Sequence, residues 1–217
     1  MKSPLLKILL AFLIMAGCSL YLGSFERKVA RKAEEVNLST WLVRAFNLKE
    51  LAVGFLWLRF DTDTVYQLAN HHRLLVILDA ITSIKEDDFD AWSLKNYMRI
   101  DLAMKRKDEE MKKRALKDYK LACELNSADW RYYHDAAQII FRRLKNRELA
   151  LDYAEKANGL EGHQVKAERL LAMICFELEK FDQSAKVYRQ ILQNPDAEAS
   201  EKKVAEAMLK IIEQKTK

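Results

Sequence analysis

The chain is poor in the residues that interrupt a helix. Its 217 residues include 2 prolines and 5 glycines. The prolines are Pro4 and Pro195, one near each end, so the long stretch between them is free of the residue that lacks an N–H and clashes with the preceding turn. That shortage argues against a turn-rich β fold and leaves a prior of all-α. Cysteine is scarce too: Cys18, Cys123 and Cys175 are the three, and no CxxC spacing occurs, which excludes the usual zinc and redox motifs. HExxH, a glycine-rich phosphate loop and GxSxG are all missing, so no familiar catalytic constellation is present. Neither charge sign dominates. The 37 basic and 32 acidic residues leave a net charge of +5. They are interleaved rather than gathered into a stripe with aromatic stacking platforms, which argues against nucleic acid.

What is present favours helices. Half the residues are apolar, and Ala, Leu, Lys, Glu and Arg, all good helix formers, dominate. Residues 8–25, ILLAFLIMAGCSLYLGSF, carry no charge. As a helix this run spans about 27 Å, close to the ~30 Å hydrocarbon core of a bilayer. Lys2 and Lys7 precede it, and Arg27, Lys28, Arg31 and Lys32 follow. Three readings compete: a retained signal anchor, a cleaved signal, and lipidation at Cys18, since Ile14-Met15-Ala16-Gly17-Cys18 resembles a lipobox. The apolar run continues through Ser19-Leu20-Tyr21-Leu22, which favours the anchor. The basic flank after the span argues for a cytoplasmic body, and the short basic head for the reverse. By analogy with ordinary single-span anchors, the expected topology is a bacterial inner-membrane protein with a periplasmic body.

The body repeats itself. Ala115, Tyr119, Ala122 and Leu125 share their spacing with Ala150, Ala154, Ala157 and Leu160, and Ser184, Tyr188 and Ile191 begin the ladder again. The period is 35 and then 34 residues, the length of a helix–turn–helix unit. Ala136-Ala137 and Leu171-Ala172 mark the partner helices, followed by Ile140 and Cys175, and Phe181 falls where an aromatic closes the inter-helix turn. Over residues 115–195 the chain resembles the tetratricopeptide repeat family, with alanine for the usual glycine and Pro195 one place early. An earlier unit runs through Leu74, Leu78, Ile81 and Ile84, followed by Asp87-Asp88-Phe89-Asp90-Ala91-Trp92. The charged segment between Ala103 and Arg114 reads as a solvated helix extension or loop. Further upstream, Leu56-Trp57-Leu58-Arg59, with Phe46-Asn47 ahead of it and Trp92 after, resembles a group of bacterial membrane-anchored tetratricopeptide proteins, although their glycine-rich turn is replaced here by Asn47-Leu48-Lys49-Glu50. Beyond Pro195, Ser200 reads as a helix cap, and Val204, Ala207, Met208 and Ile211 as the inner face of a terminal helix that closes the stack.

The expected fold is therefore all-α: antiparallel helix pairs stacked as a short tetratricopeptide-like solenoid behind a membrane helix. The divisions are a basic head at 1–7, an anchor helix at 8–25, a juxtamembrane helical segment at 26–60, and a repeat domain with a C-terminal capping helix at 61–217. Asp61 and Asp63 read as caps for a helix beginning near Thr64. His71-His72 falls at a helix–helix turn, where neighbours point apart and form no metal site. Trp41, Trp57, Trp92 and Trp130 read as packing.

The resemblance implies that the first helix of each pair lines a concave face. Carried onto this register, that face holds Arg131, His134, Gln138, Phe141 and Arg142, then Lys166, Arg169, Met173 and Phe176. Cations with aromatic and Met positions between them suit an acidic peptide or acidic helix. The expected function is a membrane-anchored scaffold for protein partners in an envelope complex, with no catalysis, cofactor or metal. The alternatives are a lipoprotein helper in outer-membrane biogenesis or secretion, lipidated at Cys18, and an accessory subunit of a membrane enzyme complex.

Overall fold

A computed structural model describes residues 49–65 and 71–216. Among the described residues all regular structure is helical. The helices are α1 (Lys49–Val65), α2 (His71–Ile84), α3 (Phe89–Arg106), α4 (Glu109–Leu125), α5 (Trp130–Ile139), α6 (Arg147–Gly159), α7 (Val165–Glu177), α8 (Phe181–Gln193) and α9 (Ala199–Lys215). The residues fall into two units, Met1–Phe55 and Leu56–Lys217. Of the first, only the opening of α1 lies among the described residues. The 8–25 segment, Cys18, Trp41 and Phe46 lie outside them. Among the described residues no helix is long and apolar enough to cross a membrane.

In the second unit each helix packs on the next in sequence from α2 to α9. The short connections make neighbours antiparallel. The pairs α3–α4, α5–α6 and α7–α8 are the repeats, and α9 covers α8. The small-residue ladder lies at their interfaces: Ala115, Ala122, Ala137, Ala150, Ala157 and Ala172 are all buried. Ser184, which opens the third copy of the ladder, is also buried, and its hydroxyl donates to the Ala172 carbonyl across the α7–α8 contact at 2.8 Å. The earlier ladder of Leu74, Leu78, Ile81 and Ile84 is buried in the same way.

Helix starts follow local chemistry. Asp88, Asp108, Asp129 and Asn146 stand just ahead of α3, α4, α5 and α6, and each side chain accepts from a backbone N–H of the first turn. The turn inside each pair is made by one residue in the left-handed region: Lys107 (φ 55°), Lys145 (φ 57°) and Glu179 (φ 59°). Between Ala103 and Arg114 the chain therefore makes a tight turn at Lys107, where the charge density alone suggested an extension or loop. Helix α5 does not stop at Ile139. Residues Ile140–Leu144 continue it as one wider π-helical turn.

A buried polar network ties α2, α3 and α4. Arg99 donates to both oxygens of Asp79 at 2.6 Å and pairs with Asp118. Lys95 donates to Thr82 at 3.0 Å and lies 3.5 Å from the Trp92 ring centre. Burial pushes the Lys95 ammonium down to about 8, against the pull of Asp79.

Three local readings need correction. Asp61 and Asp63 lie inside α1 and cap nothing: Asp63 is buried and pairs with Arg73 at 3.1 Å and Arg59 at 3.8 Å. Glu198, not Ser200, caps α9, through a reciprocal capping box with Glu201. The inner face of α9 is Ala205, Met208, Leu209 and Ile212, whereas Val204 and Ile211 are exposed. His71 and His72 are the first two residues of α2, both exposed.

Candidate functional site: the inner face of the first helices

Within the repeats, α5 touches both α3 and α7 directly, while the second helices α4, α6 and α8 approach one another less closely. The stack therefore curves toward its first helices, and what they leave unpacked forms one continuous inner face.

At the α5–α7 end this face is basic. Trp130 opens α5, capped by Asp129, and His134 one turn later meets its ring edge-on at 5.7 Å. Lys166, from the first turn of α7, places its ammonium 5.1 Å from the Trp130 ring centre. Burial drives the His134 imidazolium down to about 4, and Lys166, Arg142 and Arg169 add to the effect while a hydrogen bond with Gln138 opposes it. The ring is thus neutral near pH 7, and three cations lie close enough to act on it. The structure brings together His134, Gln138, Arg142, Lys166 and Arg169. Met173 is half-buried on the same helix as Arg169.

The remaining expected residues are occupied otherwise. Arg131 is pinned to Asp129 at 2.6 Å and lies over Phe89, 5.0 Å from its centre. Phe141 packs against the core from the π turn. Phe176 meets Phe181 edge-on at 5.6 Å, with Lys215 of α9 above it at 5.4 Å. It closes the turn to α8, a place where the sequence showed only Phe181.

At the other end the face deepens into a cavity of about 520 Å³ lined by Trp57, Asp90, Ser93, Leu94, Tyr97, Asp135, Gln138 and Ile139. One residue fixes its wall twice over. Asp88 caps α3 through Oδ1, and its Oδ2 accepts from the Trp57 indole N–H at 3.1 Å. Asp135 is the deepest acid. The hydroxyls of Ser93 and Tyr119 approach it and hold its carboxyl down, but burial outweighs them and lifts it to about 6. On the rim, Arg143 donates to the Tyr97 hydroxyl at 2.8 Å and lies 5.4 Å from that ring centre. Sequence reasoning missed this cavity. Its signals were Asp90, Ser93 and Tyr97 on one helical stripe, and Asp135 and Gln138 on another.

Among the described residues no three His, Cys, Asp or Glu side chains gather as a metal ion requires. Cys123 and Cys175 are buried, and burial pushes their thiols up to about 12 and about 11, far from the thiolate form that reacts.

No protein-family model matches the chain, and a comparison with curated proteins gives no match. Among solved structures, the crystal structure of MamA protein is similar at 10% sequence identity and a TM-score of 0.49, over 65% of this chain and 72% of that one.

Proposed function

We propose that the chain is a non-catalytic docking scaffold of the tetratricopeptide type, held at a bacterial inner membrane by residues 8–25, with its repeats on the periplasmic side. Its inner face captures a segment of a protein partner in an envelope complex. The observation that carries this reading is the single face shared by α3, α5 and α7, where side chains from different repeats converge on His134 and Gln138. A face of this kind suits a bound segment that runs across the repeats, because each first helix offers one or two contacts and none suffices alone. Lys166 over Trp130 and the half-buried Arg169 supply fixed cations for carboxylates, where a charge-assisted bond is roughly twice as strong as a neutral one. The absence of catalytic motifs supports a binding role.

The test uses the full chain with Arg142 and Arg169 both changed to Glu, and captures partners from native membranes. Recovery of the wild-type partner should fall at least about tenfold, because setting like charges against each other across an interface costs several kcal/mol. The melting temperature should move by no more than about 2 °C, since both side chains reach solvent. Undiminished recovery would place the docking surface elsewhere.

A further inference from the structure

The inner face is charge-segregated. The α5–α7 end carries Arg142, Lys166 and Arg169, whereas the α3–α5 cavity carries Asp90 and Asp135, with Trp57 and Tyr97 also in its lining. Gln138 borders both. A purely acidic ligand suits only the first half.

We propose that the cavity receives the guanidinium of an arginine side chain on the docked partner segment, while that segment's acidic residues lie along α5 and α7. The proposal rests on the docking reading above and adds the chemistry of one anchor. Four features support it. Asp90 and Asp135 come from α3 and α5 and line the same cavity, so carboxylate acceptors from two helices are available, which suits the several donors of a planar guanidinium better than lysine. The Trp57 indole is held in place through Asp88, so it offers a fixed ring for a cation to lie against. Asp135 is a half-buried carboxylate that meets the hydroxyls of Ser93 and Tyr119 but, among the described residues, no cation that shifts it, so an incoming cation would supply the missing opposite charge. Finally, the chain shows the same recognition on the rim, where Arg143 takes both the hydroxyl and the ring of Tyr97. Among the described residues the nearby cations are already held: Arg131 by Asp129 and over Phe89, with Asp90 also acting on it, and Arg143 by the hydroxyl and ring of Tyr97.

The probe is acetyl-arginine N-methylamide, titrated into the full chain in detergent micelles. The nitrogen-15 signal of the Trp57 indole N–H, assigned by its loss in Trp57→Phe, reports binding. The arginine derivative should shift it saturably, the lysine derivative should bind several-fold more weakly, and the citrulline derivative, of the same shape without charge, should leave it in place. Asp135→Asn should weaken arginine binding about tenfold. Asp90→Asn, at an exposed position in the first turn of α3, should weaken it several-fold. Equal response to citrulline, or full affinity in Asp90→Asn, overturns the proposal. The same variants separate it from the reading beneath it. Partner recovery that falls with the Arg142 and Arg169 reversal but not with Asp90→Asn overturns the arginine anchor alone. Recovery unmoved by all of them overturns the docking reading, and with it the assignment of the arginine to a partner.

Discussion

His134 and Asp135 are neighbours in sequence that titrate in opposite senses. Burial lowers the imidazolium to about 4 from an ordinary 6.5, and raises the carboxyl to about 6 from 3.8. Above pH 6.5 the histidine is neutral in both folded and unfolded chains. As pH falls below that, the unfolded chain takes the proton first, so stability is lost between 6.5 and 4. For Asp135 the unfolded chain ionises first as pH rises, so stability is lost between 3.8 and 6. In the wild type the two effects partly cancel. His134→Gln, which keeps a side chain of similar reach without a titrating group, should remove one of them. The stability advantage of wild type over this variant, measured by urea unfolding, should shrink on going from pH 6.5 to pH 4. The change should be on the order of 1 kcal/mol once solvent screening of a partly exposed ring is allowed for.

The elements hold together by close approach and by tight turns, and only the first was legible. Ala157 is buried at the edge of α6, and a larger side chain there forces helices apart, so Ala157→Leu should cost about 1–3 kcal/mol and lower the thermal midpoint by several degrees. The alanine ladder could be read because small residues recur at a fixed interval wherever backbones must come close. The turns could not, because Lys107, Lys145 and Glu179 occupy the left-handed conformation that glycine normally marks. An L-residue there costs about 1–2 kcal/mol, against roughly 0.5–1 kcal/mol of extra chain entropy for glycine. Lys145→Gly should therefore raise stability by up to about 1 kcal/mol, seen as a higher thermal midpoint. The α9 face was misread for a different reason. Val204, Ala207 and Ile211 form a stripe as apolar as Ala205, Met208, Leu209 and Ile212, one residue on, and only the packing against α8 chooses between them.

At the scale of the molecule, the all-helical stack was legible from composition and period, and the basic half of the inner face from the position of first helices within each repeat. The acidic cavity was not, because Trp57, Asp90 and Asp135 are far apart in sequence and meet only when α1, α3 and α5 are assembled. The repeats also differ by one residue, and the π-helical turn shows where it went. Ala115 to Ala137 and Ala150 to Ala172 span the same interval, whereas Ala137 to Ala150 is 13 residues and Ala172 to Ser184 is 12. The additional residue lies in the stretch holding Ile140–Leu144, where a turn bonded one residue wider than an α-turn absorbs it without shifting the contacts on either side. The bulge is thus a length buffer. It lets this copy of the repeat gain a residue while the helices around it keep their places, and the wider turn itself carries Arg143, the side chain that reaches back across the stack to Tyr97.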